Sequence, residues 1–195
     1  MKKVDNRRDI LLLLLYSPGS NNQFNESIIG RTRIIKMVFL FKNEVWKKFK
    51  NNIELEDENI YKFFPWNYGP FSSEIYDDLT FFTLRGFIEV TPSVQETIIE
   101  SVEEWNFWKS KYNNQESDEI EEYQEEDFKL SQKGEAFTKE LYDSLSNNQK
   151  NILKEFKARI STMPLRALLR YVYRTYPTQT TNSVIKDEIL GNKSE

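Results

Sequence analysis

With 195 residues, 38% hydrophobic and 30% charged, the chain is long enough for one good core, or one core with an appended subdomain, and its composition suits a soluble globular protein. It contains neither cysteine nor histidine. This excludes disulfides, thiolate zinc sites and cysteine nucleophiles, and removes the commonest general base and transition-metal ligand. The net charge of −4 conceals a partition: residues 1–50 carry 11 Lys/Arg against 4 Asp/Glu, residues 51–130 carry 5 against 20, and residues 131–195 carry 11 against 7. Either the basic ends neutralise the acidic middle within the molecule, or they face a polyanion while the middle faces something else.

In chain order, Asp5–Tyr16 reads as a first helix, capped by Asp5 or Asn6 and buried through Leu11–Leu15. The apolar run Ile10–Tyr16 is too short for a membrane span and lacks a small-residue cleavage site. Ser17–Asn25 is a loop by composition, and Glu26–Gly30 is expected to be a short helical turn with Gly30 as a hinge. The stretch Arg31–Lys50 is read as the central helix. Ile34, Val38, Phe41, Val45 and Phe49 form one apolar strip, and Ile35, Phe39 and Trp46 a second beside it. Arg33, Lys36, Asn43, Lys47 and Lys50, with Leu40 among them, lie opposite and are expected to form a cationic back in water.

Phe63–Ser73, FFPWNYGPFSS, carries Pro65, Gly69 and Pro70, which forbid a continuous helix, so an extended aromatic segment ending in a turn is expected. Ser72 or Ser73 then caps a helix to Leu84, with Ile75, Leu79 and Phe82 inward and Gly86 ending it. Phe87–Val90 and Val94–Ile99 flank Thr91-Pro92-Ser93 as a hairpin. Glu103–Asp127 is an acidic insertion with a short helix around Trp105 and Trp108, and Asp127–Leu130 is a third strand returning to the hairpin. Ser131 opens a helix with Phe137 and Leu141 inward. Ser146-Asn147-Asn148-Gln149 is a capping box starting a helix with Ile152, Leu153, Phe156 and Ile160 inward. Pro164 fits the first turn of the next helix, whose core face is Leu165, Leu168, Leu169 and Val172 and which Pro177 ends. A last short helix covers Ser183–Leu190.

Helix, helix, aromatic turn, capped helix, hairpin, strand is the order of a winged helix, which makes Ser73–Leu84 the presumptive recognition helix. Gly86–Val90 and Phe128–Ala136 would be the two ends of the wing. The second resembles the L-S/T-x-K-G phrase that follows the wing in many winged-helix regulators. The fold class expected is therefore α+β and mostly helical: a winged-helix-like domain over residues 1–145, with an acidic insertion at about 103–127, and a C-terminal helical extension over 146–195.

Gly30–Phe41 (GRTRIIKMVFLF), Phe64–Leu79 (FPWNYGPFSSEIYDDL) and Pro164–Pro177 (PLRALLRYVYRTYP) together resemble the YwgA-like proteins, and the first two blocks more distantly resemble the Panacea domain. The likeness spans most of the chain outside the acidic insertion, and Tyr68–Tyr76 is its most specific part. It implies a winged-helix-like or regulatory role, antitoxin-associated or phage-linked in Panacea, and supplies no catalytic residues.

The residues agree in giving no sign of an enzyme. There is no G-x-S-x-G, no histidine to activate a serine and no phosphate-cradling loop, since the six glycines stand singly. Asp77–Asp78 and Glu119–Glu122 are the pairs to consider for Mg²⁺, but carboxylates in such number are ordinarily solvated, so no metal and no cofactor is assigned. Two functions are carried forward. The first is a regulator that binds nucleic acid through Arg33, Lys36, Lys47 and Lys50, and through Arg166, Arg170 and Arg174 interleaved with Tyr171, Tyr173 and Tyr176. The presumptive recognition helix is too acidic to be the main DNA contact. The second is an antitoxin-like adaptor that binds a basic protein through Glu74, Asp77, Asp78, Phe81 and Arg85, with FFPWNYGPF as an aromatic anchor or as core. A cytoplasmic location is expected, with no membrane partner, and a homodimer is compatible with either function.

Overall fold

The computed structural model describes residues 2–93 and 125–191. Helix α1 (Arg7–Tyr16) starts at a capping box: the Asn6 side chain accepts from the Arg8 and Asp9 backbone N–H groups at 2.9 and 3.2 Å, and the Asp9 carboxylate accepts from Asn6 N–H at 3.3 Å. From Asp9 to Tyr16 the helix is buried on every side. Residues 26–30 do not form the expected helical turn. They contain strand β1 (Ile28–Ile29), two β-branched residues that pair with a strand formed far later in the chain, Ile28 opposite Phe128. Gly30, at φ +83°, then turns the chain into the central helix.

The run from Arg31 to Phe49 stays helical but in three pieces: α2 (Arg31–Leu40), a π turn over Phe41–Val45, and α3 (Trp46–Phe49). The π turn breaks the 100° periodicity on which the expected faces rest. Ile34 through Phe41 are all buried, Leu40 and Lys36 included, so α2 is enclosed all round and has no cationic back.

The aromatic segment folds as a hairpin, β2 (Phe64–Trp66) against β3 (Gly69–Phe71). Gly69 sits at φ +83°, and a Cβ there would lie 2.9 Å from the Tyr173 ring, so this turn needs glycine for both conformation and clearance. Ser72 is the N-cap of α4 (Ser73–Leu84) without a side-chain bond to the helix, and Ile75, Leu79 and Phe82 point inward as expected. Strand β4 (Ile88–Pro92) pairs antiparallel with β5 (Glu126–Leu130), and β5 also pairs with β1, giving a three-stranded sheet in the order β1-β5-β4. The expected second hairpin arm, Val94–Ile99, the helix around Trp105 and Trp108, and the acidic insertion up to residue 124 lie outside the described residues.

The phrase Leu130-Ser131-Gln132-Lys133-Gly134 has a structural role here. Ser131 Oγ accepts from Gly134 N–H at 3.1 Å, capping α5 (Gln132–Asp143), and donates to Gly86 O at 2.6 Å. Lys133 Nζ donates to Arg85 O at 2.8 Å. A Cβ on Gly134 would lie 2.0 Å from Phe87 O. Together these lock the start of α5 onto the turn that ends α4.

Helix α6 (Asn147–Thr162) begins at the expected Ser146/Gln149 capping box. Pro164 is the N-cap of α7 (Leu165–Thr175) rather than part of its first turn. Helix α8 (Lys186–Leu190) ends at Gly191, which is left-handed. One hydrophobic core runs from Val4 to Ile189, so the C-terminal helices share it with the N-terminal part. The molecule is α+β and mostly helical, with small antiparallel sheets. Among the described residues no helix is long and apolar enough to cross a membrane.

Candidate functional site

Part of the charge partition is resolved inside the molecule. Asp78, fully buried on α4, receives Arg7 Nε at 3.0 Å and Arg8 Nε at 2.6 Å, both from the first turn of α1. Arg7 also holds Glu74 at 2.8 Å. Tyr61, buried beside this cluster, has its phenol pushed well above its ordinary value, first by burial and then by the Asp78 charge. Elsewhere Arg31 holds Glu126 and Lys50 holds Asp57 at 2.8 Å.

Asp78 therefore fastens α4 to α1. Replacing Arg7 and Arg8 together with alanine strands a buried carboxylate and is expected to cost roughly 3 kcal/mol. Asp78→Ala is expected to cost less, because the arginines it releases are partly exposed and regain water. Urea unfolding of the two variants checks this order; equal losses would mean that Asp78 is not held as a charge.

The residues expected to bind nucleic acid separate. Lys36 is 0% exposed and donates to Pro70 O at 3.0 Å. It is not a surface residue, because the α2 face opposite the apolar strips packs against the β2–β3 hairpin. Arg33 is half-buried and caps the end of α6, donating to Ile160 O at 3.0 Å and Met163 O at 2.7 Å. Lys50 is taken by Asp57, and Lys47 is exposed. Arg166, Arg170 and Arg174 are exposed on one face of α7, Arg166 pairing with Glu188 and Arg170 donating to Ile189 O. The tyrosines between them face inward. Tyr171 and Tyr176 donate to Glu44 at 2.9 and 3.3 Å, and Tyr173 is buried with its hydroxyl 2.7 Å from Ser183. Burial and the Glu44 charge push the Tyr176 phenol up to about 12.

The residues expected to bind a protein also change character. Glu74 and Asp78 are engaged by arginines; Asp77 and Arg85 are exposed, and Phe81 is half-buried. Most of the FFPWNYGPF rings belong to the core or pack against it, although Phe64 is exposed.

At the outer end of α4, Leu84 is 81% exposed. It lies three residues from Phe81 and next to Arg85, which places all three near one helix edge. At the same end of α4 a groove of about 380 Å³, lined by Phe81, Phe82 and Arg85 but not by Leu84, runs between α1, α4, the entry to β4 and the start of α5. Its wall is a chain of rings: Phe81–Phe82 at 5.5 Å, Phe82–Phe87 at 5.8 Å and Phe87–Phe137 at 5.4 Å between centroids. Phe87, Phe137, Lys133 and Arg8 were not among the expected site residues. The signals were present, since Phe81, Phe82 and Phe87 bracket Gly86, and Lys133 and Phe137 are one turn apart. The close approach of Gly134 to Phe87, with the Ser131–Gly86 and Lys133–Arg85 bonds, brings the two sets together.

No family model, curated protein or solved structure matches the chain. Among the described residues no group of three Asp/Glu side chains is placed to hold a metal ion.

Proposed function

We propose that the protein is a non-catalytic regulatory module with a winged-helix-like fold that binds a protein partner through the outer end of α4. The fold part of this reading is supported by the element order α1, β1, α2, α4, β4, β5 with β5 between β1 and β4. In that light the YwgA-like and Panacea resemblance is one of shared regulatory architecture, and the adaptor or antitoxin-like role is the one adopted. The observation that carries the partner reading is Leu84, 81% exposed beside Phe81 and Arg85. Two of the three acids on that helix, Glu74 and Asp78, are paired with the α1 arginines, and Asp77 is exposed. An apolar residue at the end of a clamped helix, next to aromatic rings and an arginine, has the make-up of an interface anchor.

Affinity purification of the tagged chain from its host is expected to retain a partner. Leu84→Glu should weaken that partner's binding by about tenfold or more, while Arg166→Glu with Arg170→Glu should leave it unchanged. Because Leu84 is so exposed, the substitution leaves the fold intact.

Nucleic-acid binding is the second reading, favoured by the exposed line Arg166, Arg170 and Arg174 on α7. Retention on a DNA column at low salt that falls steeply as salt rises, and that disappears in Arg166→Glu/Arg170→Glu, would put it first and overturn the partner reading.

A further inference from the structure

The groove at the outer end of α4 specifies what kind of partner fits, an inference that rests on the partner reading above. Each of its outer rings lies under a cation. Arg8 is 4.2 Å and Arg85 5.6 Å from the Phe81 centroid, Lys133 is 4.5 Å from Phe87, and Lys2 is 3.7 Å from Phe137. Arg8 is shared with Asp78, and Lys2 with Glu140 at 3.3 Å. Among the described residues Arg85 and Lys133 make no ion pair, and both are exposed. The acid at the base of the groove, Asp9, is buried and already accepts the Asp5 and Asn6 backbone N–H groups at 3.1 and 3.3 Å.

We propose that this groove binds an acidic peptide segment of the partner protein, with one bulky apolar side chain inserted against Phe81 and Phe87 and flanking carboxylates meeting Arg85 and Lys133. The cations and the apolar walls are complementary to such a segment and to little else. A basic segment is repelled by Arg8, Arg85 and Lys133. A nucleobase needs an open ring face on which to stack, and the faces of Phe81, Phe87 and Phe137 lie under cations. An apolar side chain needs only the ring edges and the gap between them. Carboxylates gain most from cations that no other acid has claimed.

Random peptides displayed on phage and selected against the full chain test this. Enriched sequences are expected to place Asp or Glu on both sides of a Leu, Phe or Trp. The corresponding synthetic peptides should lose about tenfold in affinity on Arg85→Glu with Lys133→Glu, respond in the same direction to Arg85→Gln with Lys133→Gln, and be unmoved by Arg174→Glu. No enrichment, enrichment of basic sequences, peptides indifferent to the Arg85/Lys133 changes, displacement of the peptides by oligothymidylate, or a dimer that dissociates on Arg85→Glu with Lys133→Glu would each overturn the proposal. A cellular partner lost on Leu84→Glu but kept on Arg85→Glu with Lys133→Glu would overturn the groove assignment and leave the α4 reading standing.

Discussion

Gly134→Ala is expected to destabilise the protein by about 3 kcal/mol, toward the upper end of what overpacking costs. At an ordinary helical position the same change stabilises by up to about 1 kcal/mol, because alanine has the better helix propensity. Here the new Cβ would lie 2.0 Å from Phe87 O and 2.9 Å from Phe87 C, both backbone atoms. No side chain can swing aside to make room. Either α5 lifts off the α4–β4 turn, losing the Ser131–Gly86 and Lys133–Arg85 bonds, or the turn itself moves. Chemical denaturation of the variant measures the loss, and a variant as stable as wild type would show that α5 does not seat on Phe87. Lys133 and Phe137 are carried by α5 and the other groove residues by α1 with its N-cap, α4 and the turn into β4, so this substitution should also disturb any ligand bound in the groove.

The second large effect is a pH dependence. Lys157 on α6 is fully buried, its Nζ donating to Leu15 O at 2.5 Å and Glu26 O at 3.1 Å. Burial lowers its pKa to about 7, with the Glu26 charge opposing the shift. Below pH 7 the amine is charged in both the folded and the unfolded chain, and the cost of burying that charge is present in full. Above pH 7 the folded protein sheds a proton that the unfolded chain keeps until about pH 10.4. The unfolded state then binds more protons, so stability rises with pH across that window. Between pH 7 and 9 the stability of wild type relative to Lys157→Met is expected to rise by about 2 kcal/mol. Urea unfolding of both proteins across this range isolates the lysine from every other titrating group. A constant difference, or one that shrinks as pH rises, would mean that the ammonium remains charged inside the fold.

Local chemistry made much of the architecture readable. Asn6 and Ser146 carry capping boxes with Asp9 and Gln149 three residues on, and both start helices where expected. Pro65, Gly69 and Pro70 keep the aromatic segment extended rather than helical, as expected, although it folds back as a hairpin instead of running straight to a terminal turn. Each of these is settled by residues within a few positions of one another. Strand β1 was not readable in this way, because Ile28–Ile29 is too short to signal a strand and exists only through pairing with residues about 100 positions later. The central helix lacks the expected cationic back for a related reason. A wheel drawn from periodicity assumes that polar residues face water. Lys36 instead reaches a backbone carbonyl of the β2–β3 hairpin and Arg33 the carbonyls at the end of α6. The π turn at Phe41–Val45 then offsets every later position on the wheel.

By itself the sequence determined the class of the molecule, its helix starts and its turns, because caps, glycines, prolines and apolar spacing act over one or two turns of chain. Tertiary structure alone decided which charges remain available. An arginine or lysine side chain can reach any acceptor that folding brings near, and this fold spends Arg7, Arg8, Arg33 and Lys36 internally while leaving Arg85 and Lys133 beside a row of phenylalanines. The sign of the surface at α4 therefore follows from which partners the packed helices supply, something that composition along the chain cannot encode.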